Sequence, residues 1–438
     1  DAANYNTGVG VNVFEDLTSG DNNSALGFNA LTNITTGSDN TAIGRTTLVS
    51  TTTGSNNTAV GSVALNVNTG DHNTAVGKSA LAANTSGERN TGLGSLCLDA
   101  NTTGNYNTGA GYATLSEATT ASNNTGFGYA ALGNTTTGGN NTAFGYTALN
   151  TNTTGVSNTA VGQNALGTSS TANNNTAVGK DALGACTTGG HNVACGLNAL
   201  AAQTTSSNCT AMGSGAGIAV TTSDKSTLIG REAGVAVTTG GSNTCIGGSA
   251  GYNITTGFGN TMLGTNTHAS AADGNYQICI GYNVSGVGNN YITMGSSTGS
   301  DRIYVKYDVN ASWTRVSDER YKEEIQNNTD CGLNFINDLR PVTFKWKPKS
   351  DIDNTLPDYD ENKTERHHDG KMYGLIAQEV KQALEDNNIT DFGGWTETPE
   401  GIQGISQEMF VHPLIKAVQE LSAKVDSLQN EINILKGE

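Results

Sequence analysis

A glycine returns every seventeen residues along the first two-thirds of this chain, and no other feature limits its fold so tightly. The phrase Asn-Thr-Ala-Val-Gly and its variants end on Gly10, Gly27, Gly44, Gly61, Gly77, Gly94, Gly111, Gly128, Gly145, Gly162, Gly179, Gly196, Gly213, Gly230, Gly247, Gly264, Gly281 and Gly295. Of the 17 intervals, 15 are 17 residues long, one is 16 and the last is 14. A fixed period marks units that stack, each too small to bury an apolar surface alone. Seventeen residues are too few for an ankyrin or tetratricopeptide helix pair and suit one coil of parallel β-structure. Coils advancing about 4.8 Å each would build a rod of about 80 Å.

Two apolar patches recur in every unit. One is the residue before the glycine, as at Val60, Val76, Phe144 and Ile246, with a small Ala, Gly or Cys one place earlier. The other is a pair such as Ala64-Leu65, Ala80-Leu81, Ala148-Leu149 or Ala165-Leu166, which reads as strand or as a short helical turn. Both patches are expected to face inward and form a thin continuous core. Between them lies a polar turn such as Asn134 to Gly138, whose Gly and Asn tolerate left-handed backbone. Asn and Thr aligned from coil to coil would form side-chain ladders.

Composition agrees with a thin core. Glycine is 57 residues against 5 prolines, aromatics are 6% and charged residues 14%. The net charge of -17 is uneven, since residues 301–438 hold 26 of the 39 acidic and 16 of the 22 basic residues. No basic stripe suits nucleic acid or an anionic membrane surface, and no apolar run spans a bilayer or forms a secretory signal. Because the first residue is Asp1 rather than Met, a leader or attachment module is expected to precede it. Cys97, Cys186, Cys195, Cys209, Cys245, Cys279 and Cys331 lack paired metal-ligand spacing and read as small core hydrophobes.

After Gly295 the repeat stops. The division expected is a β-solenoid stalk over 1–295, a joint over 296–311 with a strand at Ile303 to Val309, a globular domain over 312–411 and a terminal helix over 412–438. In the globular part, Ser317 reads as the N-cap of a helix running toward Ile325. A short helix follows around Leu333 to Leu339, then a strand over Pro341 to Trp346, an acidic loop over Asp351 to Glu361 and a helix ending near Asp386. Along the terminal helix, Leu414, Val418, Leu421, Val425, Leu428, Ile432 and Leu435 are spaced 4-3-4-3-4-3, the seam of a coiled coil with β-branched a positions and Leu at d. Those side chains by themselves favour two strands. His367, His368 and Asp369 lack further ligands at metal spacing, and Asp351, Asp353, Asp358 and Asp360 lack the glycine and glutamate of an EF-hand. No metal or cofactor is expected.

The stalk phrase resembles the head repeats of trimeric autotransporter adhesins, with a longer period. From residue 312 onward the chain resembles the endosialidase-type intramolecular chaperone of phage tailspikes and tail fibres, in S-D-E-R-Y-K at 317–322, L-R-P-V-T-F-K-W at 339–346, G-L-I-A-Q-E-V at 374–380 and H-P-L-I-K-A-V-Q-E-L at 412–421. That resemblance implies a homotrimer whose chaperone cuts itself off, with Ser317 and Lys322 as a serine-lysine dyad and the Ser317–Asp318 bond as the cleavage site. It further implies a virion-surface fibre, attached at its N-terminal end, that presents a surface to a host receptor, most simply a glycan. A tailspike enzyme degrading host polysaccharide is the alternative, although Glu88, Glu117, Asp181 and Glu232 are scattered singly. A cellular surface adhesin is the third reading. Beyond self-cleavage, no enzymatic activity is expected.

Overall fold

The computed structural model describes residues 3–296, 301–309, 314–315, 319, 322–356, 359–366, 370–398 and 401–437. The chain divides into two compact units, Asp1–Tyr321 and Lys322–Glu438.

The first unit is a β-solenoid, as the glycine period requires. Each coil contributes one three-residue strand, from β1 (Thr7–Val9) to β16 (Thr261–Leu263), and β17 (Ile278–Gly281) and β18 (Tyr291–Gly295) complete the series. Seventeen successive parallel pairings join β1 to β18. Like meets like in register, with Thr142 beside Thr159, Ala143 beside Ala160 and Phe144 beside Val161. The 16-residue interval omits one residue from its polar turn, Asn68 to Gly70, and Thr58 still pairs with Thr74. Beyond β18 the direction reverses, because β19 (Arg302–Lys306) and β20 (Thr314–Arg315) add on antiparallel.

Strand alternation corrects one expectation. The Ala-Leu pairs are buried, but the residue before each glycine faces out: Phe144 is 41% exposed and Val178 37%, while Val60 is half-buried. A three-residue strand turns only its middle side chain inward. That middle position is Ala25, Ala42, Ala59 and their successors, all buried.

The core conserves volume from coil to coil. Where the buried Leu gives way to Gly217, Gly234 and Gly251, bulk reappears as Leu228 in the strand and as Val220, Val237 and Ile254 in the turn. A Cβ on Gly217 would lie 2.6 Å from Leu228 Cδ1, so the two changes occupy one space. Elsewhere the buried Leu itself adopts a left-handed backbone, φ 52° at Leu149 and 51° at Leu166. Hydrogen bonds between coils hold it there, such as Leu149 N–H to Ala165 O at 2.9 Å.

Buried asparagines form the expected ladder. The Asn40 backbone N–H donates to Asn23 Oδ1 at 3.0 Å, and Asn40 Nδ2 donates to the Gly54 carbonyl at 2.9 Å. The pattern repeats through Asn57, Asn73 and Asn90. Each amide thus satisfies a backbone donor and a backbone acceptor that the narrow interior would otherwise strand.

The second unit is a small α+β structure. It comprises α1 (Leu333–Asp338), β21 (Val342–Phe344) paired antiparallel with β22 (Met372–Gly374), α2 (Ala377–Asp386), β23 (Trp395–Glu397) paired antiparallel with β24 (Gln403–Ile405), and α3 (Val411–Lys436). Phe335 is its centre, fully buried, with Phe392 edge-on at 5.6 Å and Phe410 stacked at 6.2 Å. The helix expected from Ser317 does not reach Ile325: Lys322 to Ile325 are not helical, and Glu324 turns left-handed at φ 53°.

Candidate functional site

Two of the four C-terminal motifs contact each other directly and a third is tied to α1 beside them, through contacts that spacing does not reveal. β21 comes from L-R-P-V-T-F-K-W and β22 opens into G-L-I-A-Q-E-V, so their pairing sets Val342 against Gly374 and Phe344 against Met372. Arg340 of the first motif grips Glu379 of the second through Nε and Nη2, and this pairing holds the Glu379 carboxyl below its usual range. The fourth motif is tied in by Glu420 on α3. Its Oε2 accepts from the Leu333 backbone N–H at 2.7 Å and so caps α1 from outside. Gly332 makes room, since a Cβ there would lie 2.5 Å from that carboxylate oxygen.

Lys322 stands exposed at the first residue of this unit. Ser317 and Asp318 lie outside the described residues, as do His367, His368, Asp369 and Asp358. Within the acidic loop, Asp353 accepts from the Thr355 backbone and hydroxyl and Asp360 from the Asn362 backbone, so these carboxylates fasten local turns.

Residues 317–389 match the chaperone-of-endosialidase family. The match opens on Ser317, takes in Lys322, α1, β21, β22 and α2, and ends at Ile389 before β23. No curated protein and no solved structure matches the chain. A chaperone segment behind a β-solenoid stalk fits a tailspike or tail-fibre protein. The chaperone segment leads to α3, whose own-unit contacts bury only Pro413 and Ala417. The whole seam from Leu414 to Leu435 is exposed along the helix, Val418 at 59% and Leu428 at 57%. No helix of the described residues is long and apolar enough to cross a membrane.

On the stalk, the outward strand positions form a second periodic surface. Thr142, Thr159 and Thr176 alternate with Phe144, Val161 and Val178, and most other coils follow the pattern, with departures such as Ser24, Ala110 and the Val193–Cys195 strand. Phe127 and Phe144 stack at 4.7 Å, flanked by Tyr112, Tyr129 and Tyr146 stacked at 5.6 and 5.1 Å. Residues 1–300 carry 13 acidic and 6 basic side chains, and none of these 19 lies in a strand from β1 to β18.

Most of the singled-out stalk acids have local partners. Glu88 pairs with Arg89 at 2.8 Å, Glu232 with Arg231 at 3.3 Å, and Asp181 accepts from Asn164 at 2.8 Å. Glu117 lies one coil from Asp99, a neighbour the sequence reading did not single out. Burial pushes the Asp99 carboxyl up, and the Glu117 charge adds to the shift. Six of the seven cysteines are buried, with Cys97 and Cys245 pushed up to about 12 by burial. The seventh, Cys195, departs from the expected core role and sits at the outward strand position of β12 (Val193–Cys195).

Proposed function

We propose that this protein is a homotrimeric virion fibre or spike. Its stalk presents a host-receptor surface, most simply to a glycan, and its N-terminal end joins a virion or fibre attachment protein. The C-terminal unit assembles the trimer and then cuts the chain between Ser317 and Asp318. The observation that carries this reading is the uncovered heptad seam of α3, which follows, after β23 and β24, a segment that matches an assembly chaperone. A 26-residue helix with seven apolar seam positions in water is an unfinished coiled coil.

Cleavage adds water across one peptide bond, leaving a carboxylate on Ser317 and an amine on Asp318. In the proposed dyad, Lys322 is the base that accepts the Ser317 hydroxyl proton. The family's designation as a peptidase supports this assignment.

Light scattering gives the assembly and a denaturing gel gives the cut. The expected result is a trimer whose chains migrate as two fragments, and full-length chains for Ser317→Ala and Lys322→Ala. A dimer or monomer mass rejects the trimer. Cleavage that persists in both variants rejects the dyad.

A further inference from the structure

We infer that the outward strand face of the stalk, β1 to β18, is an interface between copies of this chain, so that its Val, Ile, Leu and Phe side chains form the interior of the assembled stalk. This inference rests on the homotrimer proposed above and names the surface that closes it.

The face is apolar, long and free of charge. Its outward positions are threonine and a large apolar side chain in nearly every coil, including Leu26, Ile43, Phe144 and Ile246. Among the described residues up to 296, all 18 charged residues lie outside the strands. Seventeen coils at about 4.8 Å and a width of about 10 Å give on the order of 800 Å², the area that each partner contributes to a standard protein interface. A row of large apolar side chains running the length of that face, beside a row of threonines, is more apolar surface than single chains in water ordinarily leave exposed.

Uniformity identifies the occupant. A receptor would engage one region, and the special residues would gather there. Here the same two-residue pattern recurs in most coils from one end to the other, so the partner must repeat at the coil spacing over the full length of the stalk. Another copy of the stalk has that spacing and that length. The helix seam points the same way, because parallel copies in register along α3 bring identical coils to one level. The stacked Phe127 and Phe144 with their tyrosine flank then supply the aromatic anchors that interfaces favour.

Cys195 offers a native reporter, being half-buried on this face while the other six cysteines are buried. The mass of the full chain is measured first, and a monomer overturns both the assembly and this interface. On trimeric protein, maleimide labelling at Cys195 is compared with labelling at Thr154→Cys, an exposed turn position. Labelling at Cys195 is expected to be roughly tenfold slower. A short bis-maleimide linker is expected to join chains through Val161→Cys and not through Thr154→Cys, both in a Cys195→Ser background. A trimer in which Cys195 labels as fast as Thr154→Cys, or in which only Thr154→Cys links chains, overturns this face and leaves the trimer standing.

Discussion

Glycine at the end of each strand answers two demands at once. At Gly145 the backbone stands at φ +137°, and a Cβ would lie 2.5 Å from the Gly162 carbonyl oxygen. Both the left-handed region and the contact with rigid backbone exclude a side chain. Gly145→Ala is therefore expected to cost more than about 2 kcal/mol in chemical denaturation. Gly248 is the control: no left-handed φ is found there, and its nearest neighbour is Thr265 Cγ2 at 3.9 Å. Gly248→Ala should stay within about 0.5 kcal/mol of wild type. Sequence periodicity made the first glycine legible, but not its geometry or the inward role of the small residue two places before it. The hydrophobicity of Val178 outweighed alternation in that reading, because an outward-facing apolar side chain looks the same in a sequence as an inward-facing one.

Asp99 belongs to the same scale. Burial raises its folded-state pKa, so the fold binds this proton more tightly than the unfolded chain does. The cost is fully present above the raised pKa and disappears as pH falls through it toward the unfolded value. Asp99→Asn removes that cost and restores the residue found at the equivalent turn positions Asn66 and Asn150. The variant should melt higher than wild type at pH 7, with the difference closing as the pH approaches the ordinary carboxylate range. A constant difference across pH would attribute the effect to shape instead of charge.

At the scale of elements, the sequence was most readable where one period governs a whole segment. The α3 seam and the α2 boundary near Asp386 follow from apolar spacing and match the observed helices. The short β22, β23 and β24 strands carry too few residues to show a period, and tertiary pairing creates them. The link from Glu420 to the N-terminus of α1 was equally hidden, since it joins residues 87 apart. Removing that carboxylate leaves the Leu333 N–H without its acceptor and loosens α3 from the Phe335 core. Glu420→Ala should lower the stability of the second unit by about 1–2 kcal/mol. Lys416→Ala, which removes only the partly exposed ion pair with Glu420 at 3.6 Å, should cost less than about 0.5 kcal/mol. Equal losses in a thermal melt would assign the effect to that ion pair.

For the whole molecule, the proposed order of events is assembly and then cutting. A parallel β-solenoid gains its stability from contacts between coils and, in the reading above, between copies, so an early cut would release chains before those contacts exist. A cut made afterwards removes the helix seam that guided assembly and leaves a stalk whose unfolding has no easy reverse. Cutting should therefore depend on the α3 seam, even though the seam lies about a hundred residues beyond Ser317. Replacing Val418, Val425 and Ile432 by Lys places like charges face to face at every a layer and should prevent the coiled coil while leaving Phe335 and its neighbours untouched. The expected product is a chain that is monomeric by light scattering and migrates at full length on a denaturing gel. Mixing Lys322→Ala chains with an excess of Ser317→Ala chains tests whether the subunits share the chemistry. If Lys322 acts on the serine of a neighbouring chain, Ser317→Ala chains stay whole while Lys322→Ala chains are cut in mixed trimers. If each chain cuts only itself, neither variant is rescued. Efficient cutting of the monomeric lysine variant would separate the two steps and reject the checkpoint.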